Sequence, residues 1–251
     1  GGSYIGLEYA QMYRRFGARV TVVEKGPRLI GREDEDVSVA VREILEGEGI
    51  AVHTGVDHIA FAREGETIAV TLDGTRVTCS HVLVAVGRVP NTGDLGLDKA
   101  GVVTDARGYI TVDDELQSSV PGIWALGDCN GRGAFTHTAY NDFEIVAANL
   151  LDGEHRRLSE RVSGYALYID PPLGRVGIGE ADARKRGRPF LVGKRPMTRV
   201  GRAVERGETQ GFMKVIVDAE TKAILGAAIL GVEGDEAIHG IIDMMSVGAT
   251  A

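Results

Sequence analysis

The chain opens on Gly1-Gly2-Ser3-Tyr4-Ile5-Gly6-Leu7-Glu8, a glycine turn with serine in the middle glycine's place, running into a helical pattern. Glycines there let the backbone turn tightly and approach a pyrophosphate, which then sits on the helix N-terminus. Glu24 follows eighteen residues after Gly6, at the end of an apolar run. A carboxylate about that far on accepts hydrogen bonds from the adenosine ribose hydroxyls and repels a 2′-phosphate, so NADH is favoured over NADPH. Lys25 and Arg28 stand close enough to soften that preference. Each feature has a plain alternative: a glycine turn before an ordinary helix, and a solvated charge at a strand end. A second carboxylate, Asp128, closes Trp124-Ala125-Leu126-Gly127-Asp128. Delivered by the carboxyl end of a strand, it would bind sugar or ribityl hydroxyls, although Gly-Asp alone is mostly a turn. Val84-Ala85-Val86-Gly87-Arg88-Val89-Pro90-Asn91 is a third such run, and taken alone it reads as a strand exit.

These groups need elements to position them. Ile5, Tyr9, Met12, Tyr13 and Phe16 recur at helical spacing, and Gly17 ends that helix. Arg19 to Glu24 reads as a buried parallel strand. A second helix is expected from Asp34 or Asp36 to Glu46, with Val37, Val41, Ile44 and Leu45 on one side and an acidic start. Ile50 to His53 is the next strand, Ile68 to Leu72 and Arg76 to Cys79 form a hairpin around Asp73-Gly74, and His81 to Val86 is an apolar strand. This alternation implies a doubly wound α/β unit. Further on, a strand over 122–128 leads to a helix from about Thr138 to Leu151. Beyond Val162 the pattern turns α+β. Strands are expected near 165–169, 175–178, 212–217 and 224–230, and helices near 180–186 and 235–247.

Composition narrows the function classes. With 43% hydrophobic and 25% charged residues the chain suits a soluble globular protein able to bury a core. A net charge of -8 argues against an electrostatic nucleic-acid binder, and no apolar run approaches a membrane span. Two cysteines make no disulfide framework, so a reducing cytoplasm is the default.

Together and in this order, the three motifs resemble the pyridine nucleotide-disulfide oxidoreductase family of flavoenzymes (class I). Arg32-Glu33-Asp34 and Phe135-Thr136-His137-Thr138-Ala139-Tyr140-Asn141-Asp142 look most like its mercuric reductase-like members. Asp170-Pro171-Pro172 to Gly177, Gly211 to Lys214 and Ile224-Leu225-Gly226 look like the family's dimerisation domain. The resemblance implies a Rossmann-like NAD(P)-binding domain over residues 1–115, the C-terminal part of an FAD-binding domain over 116–160 and a truncated dimerisation domain over 161–251. The chain is then expected to be an internal piece of a larger homodimeric enzyme. Its cofactors would be FAD and NAD.

By the same resemblance, Gly1, Gly2, Ser3, Ile5 and Gly6 hold the NAD pyrophosphate. Tyr4 covers the flavin until nicotinamide displaces it, and Glu8 lies near the nicotinamide. Val56 contacts adenine, Gly87 lies on the nicotinamide side, and Glu24 with Lys25 faces the ribose. Gly127 and Asp128 bind the flavin, and Thr136, His137, Thr138 and Ala139 turn backbone amides toward its ring. Electrons would pass from NADH through FAD and a cysteine pair to a small-molecule or metal-ion acceptor such as Hg(II), lipoamide or another disulfide.

Departures from the pattern matter as much. No pair of cysteines separated by four residues is present, nor the histidine-glutamate acid/base pair, so no catalytic residue is assigned and the piece itself is expected to be inactive. Cys79 and Cys129 read as structural. The histidines other than His137 read as surface or packing residues, and Glu236 with His239 as a solvated or interface pair, so no metal site is assigned. Three other readings stay open: a dihydrolipoamide dehydrogenase-like enzyme, a flavin reductase without a redox disulfide, and a non-enzymatic nucleotide-binding and dimerisation module.

Overall fold

A computed structural model describes residues 1–251. Two compact units divide the chain, one made of residues 1–86 with 162–251 and the other of 87–161.

The first unit begins with α1 (Tyr4–Arg15), β1 (Thr21–Val23), α2 (Glu35–Gly47) and β2 (Ala51–His53). Strands β1 and β2 pair in parallel, Val22 opposite Val52. Helix α2 follows the expectation closely: Asp34 is its extended N-cap, Glu35 and Asp36 sit in the first turn, and Val37, Val41, Ile44 and Leu45 are buried. Negative charge at that end complements the helix dipole, and each fully buried large aliphatic side chain contributes roughly 1.5–3 kcal/mol. On α1 the stripe that marks the helix is its outer face. Phe16 is 80% exposed and Ile5 58%, while Leu7, Ala10 and Gln11 point inward. A separate antiparallel sheet follows: β3 (Ile59–Glu64), β4 (Thr67–Leu72) and β5 (Thr75–Cys79). The hairpin at Asp73-Gly74 is as expected, and β3 is an addition to it.

The expected strand over 81–86 does not form, and its valines are exposed, Val86 at 77%. A strand exists only where a neighbour takes its backbone groups. Here β1 pairs with β2 alone, and no strand takes the backbone groups of 81–86.

In the second unit, α3 (Leu97–Ala100) precedes isolated bridges, among them Gln117 to Trp124, and α4 (Thr136–Leu151). The strand expected over 122–128 is replaced by that single bridge and a 3-10 turn over Gly127–Asn130. Leu116, Ile145 and Val146 form one core of this unit, with Trp124 packed against them, and Val102, Ile110 and Ala125 form another.

The chain then returns to the first unit with β6 (Gly164–Leu167), β7 (Leu173–Gly177), α5 (Glu180–Lys185), β8 (Phe190–Pro196), α6 (Gly201–Arg206), β9 (Phe212–Asp218), β10 (Ile224–Leu230) and α7 (Gly234–Ser246). The sheet is antiparallel in the order β6-β7-β10-β9-β8. Helix α7 packs on β7 and β10 so closely that a side chain at Gly174 would overlap the carbonyl of Gly234. Strand β8 and α6 lie outside the expected elements. One continuous core joins Leu7, Val22, Val37 and Leu45 to Leu167, Leu173 and Leu230. No helix is long and apolar enough to cross a membrane.

Candidate functional site

The glycine turn is clasped by the loop between β1 and α2. Gly2 N–H donates to Glu24 Oε2 at 2.6 Å, and the Gly2 carbonyl accepts from Ile30 N–H at 2.8 Å. A Cβ on Gly2 would lie 2.6 Å from Leu29 Cδ2 and 2.9 Å from Glu24 Cβ, so only glycine fits. Side chains at Gly1 and Gly6 would overlap the carbonyls of Ala85 and Gly1 respectively. The turn is therefore bare backbone leading into α1, with exposed Ser3 at the N-cap and no side chain capping the first-turn amides. That leaves the positive end of the helix open for an anion.

Glu24 accepts from Gly2 N–H with one oxygen and from Gly26 N–H, at 2.7 Å, with the other. Each carboxylate oxygen has a further lone pair, so the group that shapes the turn retains capacity for ribose hydroxyls. Lys25 is exposed. Arg28 gives its guanidinium to the carbonyls of Gly31 and Glu33, at 3.1 and 3.0 Å, which directs it away from a 2′-phosphate role.

Tyr4 and Glu8 have partners within this unit. Glu8 Oε1 accepts from Tyr168 N–H at 3.0 Å. Tyr4 donates its hydroxyl to Glu33 Oε1 at 2.7 Å, Tyr165 donates to the same oxygen at 2.8 Å, and the two rings meet edge to face. Glu33 Oε2 pairs with Arg175 Nε at 2.7 Å, with both side chains buried. These two atoms have no other partner. Arg175 Nη1 donates to the Ala227 carbonyl at 2.6 Å. Burial first, and then the Glu33 charge, push both tyrosine hydroxyls above their ordinary range. Burial alone would lower Arg175, but Glu33, Tyr165 and Asp34 together outweigh it and hold the guanidinium ionised. Val56 is buried with Val70 and Leu72, and its N–H donates to the Glu24 carbonyl at 3.2 Å.

The second unit brings together Gly127, Asp128 and the start of α4. Gly127 has φ of 72°, and a side chain there would press on Ala139 at 3.3 Å. Ala139 N–H is already donated to the Phe135 carbonyl at 3.1 Å, so its amide is spent inside the helix. Thr138 Oγ1 accepts from Phe135 N–H at 3.2 Å and donates to the Phe135 carbonyl at 2.7 Å, fixing the entry to α4. Thr136 and His137 are exposed on the first turn, and the His137 ring stacks on Phe135. Asp128 Oδ2 is paired with Arg88. Gly87 is exposed with φ of 123°, a backbone state that glycine alone adopts freely.

Two residues quoted from the sequence only as parts of motifs carry structural roles in these sites. Glu33 is one. Asp142, 2% exposed, is the other: its Oδ2 accepts from Gly127 N–H and Asn130 Nδ2, both at 2.8 Å, and its Oδ1 pairs with Arg161. Asn130 Nδ2 also reaches the Ala125 carbonyl at 2.9 Å. A buried carboxylate thus holds the loop that presents Asp128. The signal available in the sequence was an acid at a helical position among apolar residues.

Both cysteines are free. Cys79 Sγ donates to Ile68 O, and Cys129 Sγ to Leu126 O at 3.2 Å. Burial pushes the Cys129 thiol up, away from thiolate chemistry. Glu236 and His239 are exposed. The one cluster with metal-ligand spacing is Asp34, Asp36 and Glu180. Lys214 Nζ fills it, at 2.7, 2.7 and 3.1 Å from their oxygens.

Comparison with known proteins places these features in context. Residues 1–142 match the family described as pyridine nucleotide-disulphide oxidoreductase, and residues 164–251 match its dimerisation domain. The chain is 35% identical to a dihydrolipoyl dehydrogenase of Thermus scotoductus, over 100% of this chain and 55% of that protein. It is 35% identical to a mercuric reductase of Streptomyces lividans, over 100% of this chain and 53% of that one. The solved Cu(II) complex of the HOCl-induced flavoprotein disulfide reductase RclA from Escherichia coli superposes with a TM-score of 0.92 at 32% identity, covering 100% of this chain and 58% of that one. The chain therefore spans little more than half the length of the relatives it matches.

Proposed function

The chain belongs to the pyridine nucleotide-disulphide oxidoreductase family, and we propose that it carries the NADH-binding site and part of the flavin-binding site of such an enzyme. The observation that carries this reading is the glycine turn pinned to Glu24 by the Gly2 N–H bond of 2.6 Å. Bare backbone, an uncapped helix end and a carboxylate at the following strand suit a dinucleotide. The amides of Tyr4, Ile5 and Gly6 would face the pyrophosphate, and Glu24 would accept from the ribose. A 2′-phosphate would meet the Glu24 charge, with exposed Lys25 as the nearest compensation, so NADH is preferred over NADPH. In the second unit Asp128, with the first turn of α4, would hold the flavin, and Arg88 would move off Asp128 Oδ2 or share it. FAD, once bound, supplies a two-electron relay between nicotinamide and a disulfide.

Val56, Glu8 and Gly87 complete the nucleotide assignment by resemblance. The parent is read as a cytoplasmic homodimer assembled through residues 161–251. Its acceptor is read as a disulfide or a metal ion such as Hg(II), the two classes that the names of its relatives span. Residues 1–115, 116–160 and 161–251 keep their roles as nucleotide, flavin and dimerisation segments in this reading.

Fluorescence titration of the purified chain with NADH and with NADPH tests the nucleotide reading. Saturable NADH binding, at least several-fold tighter than NADPH, is expected and should weaken in Glu24→Ala. Equal affinities, or tighter NADPH, would reject the role given to Glu24.

A further inference from the structure

We infer that Glu33 is a positioning residue for the dinucleotide site, acting through the hydroxyl of Tyr4; this rests on the NADH reading above. Tyr4 is the first residue of α1, directly after the glycine turn. Its hydroxyl is held by Glu33 Oε1 at 2.7 Å. The same carboxylate is anchored from the C-terminal sheet by Tyr165 on β6 and by Arg175 on β7. Arg175 is in turn fixed to the β10 carbonyl of Ala227 at 2.6 Å. The first turn of α1 is thus tied at its side chain to three strands of a sheet more than a hundred residues away in sequence, as the 132-residue separation of Glu33 and Tyr165 states.

The physical case turns on what a buried charge costs. Removing a carboxylate and a guanidinium from water is expensive, and apolar replacements of such pairs are often equally or more stable. Stability alone therefore does not account for four polar groups meeting here. Direction does: a charged acceptor fixes a phenol oxygen in both distance and angle, which apolar packing does not. The β1–α2 loop already clasps the backbone of the turn at the N–H and carbonyl of Gly2. Glu33, at the end of that loop, adds the third tether, so the amides that would face the pyrophosphate are set before ligand arrives. A preorganised site loses less entropy on binding.

The two tyrosines give an internal control, because both donate to the same oxygen of Glu33, and Tyr4 alone lies on α1. Tyr4→Phe should weaken NADH binding about tenfold, which corresponds to about 1.4 kcal/mol. Tyr165→Phe, which leaves Glu33 anchored by Arg175, should lower the melting temperature by a similar amount while weakening NADH binding clearly less than Tyr4→Phe does. Glu33→Gln should weaken binding on its own and add nothing in the Tyr4→Phe background, since coupled residues are non-additive. If Tyr4→Phe does not fold, the comparison of Glu33→Gln with Tyr165→Phe decides, with the larger loss of affinity expected in the former. Unchanged affinity in Tyr4→Phe, an equal loss in Tyr165→Phe, or multiplying losses in the double variant would overturn the role of Glu33 while leaving the NADH reading intact. A wild-type chain that binds no NADH would reject that reading itself, and the inference with it.

Discussion

Asp142→Ala offers the sharpest test of how the Asp128 loop is held. Asp142 is 2% exposed and accepts from Gly127 N–H and Asn130 Nδ2 while pairing with Arg161, whose side chain is 9% exposed. Truncation leaves the Gly127 N–H without its acceptor and the buried Arg161 guanidinium without its counter-charge, held only by Asn141 Oδ1 at 2.6 Å. Breaking a buried ion pair from one side costs about 3–5 kcal/mol. Asn130 keeps its bond to the Ala125 carbonyl, so the broken ion pair sets the scale. With a urea slope of about 2 kcal/mol/M, the midpoint should fall by about 1.5–2.5 M. The assay is selective because Trp124, the chain's only tryptophan, packs against Leu116 and Ile145 in the same unit. Its fluorescence therefore reports residues 87–161. Glu154→Ala, which removes an ion pair with Arg156 exposed on both sides, should leave the midpoint in place. A shift below about 0.5 M for Asp142→Ala, about 1 kcal/mol at that slope, would refute the reasoning.

Gly2→Ala should weaken NADH binding and lower the melting temperature, since its Cβ would meet Leu29 Cδ2 at 2.6 Å and Glu24 Cβ at 2.9 Å. Strain of about 1–3 kcal/mol is expected from such overpacking, and calorimetric melting beside a fluorescence titration would read both effects. The Lys214 cluster predicts a pH window. Burial alone would raise Asp36, but hydrogen bonds from Lys194 and Lys214 outweigh it and hold its carboxyl below the ordinary range. Burial alone would likewise lower Lys214, and its bonds to Asp34, Asp36 and Glu180 outweigh that and raise it. The Asp36 contribution is present above the unfolded carboxyl value of about 4 and is lost as pH falls through the lower folded value. The Lys214 contribution is full below about 10.4 and is lost as pH rises through its raised value. Melting temperature against pH should therefore show an acid limb that becomes shallower in Asp36→Asn; an unchanged acid limb would remove Asp36 from the account.

What the sequence revealed followed from how local each signal is. Helix α2 was readable because its acidic start, its apolar spacing and its end all lie within one short segment. The hairpin between β4 and β5 was readable because Asp73-Gly74 determines its own turn. The segments at 81–86 and 122–128 have strand composition, but strands depend on partners, and neither segment is paired into a sheet here. Strand β8 was missed for the opposite reason: Gly193, Lys194 and Arg195 dilute its apolar character, and an edge position tolerates them. The periodic stripe on α1 identified a helix correctly and said nothing of which face is inward. Glycine spacing and Glu24 could be read as a site because a dinucleotide turn is written in consecutive residues. The role of Glu33 could not be, because its partners are 29 and 132 positions away.

A crystal structure of this chain soaked with NADH tests the central claim most directly. The account predicts the pyrophosphate within hydrogen-bond distance of the first-turn amides of α1 and the adenosine ribose on Glu24. Nucleotide bound elsewhere, or a Glu24 carboxylate that stays on Gly2 and Gly26 without touching the ribose, would contradict it.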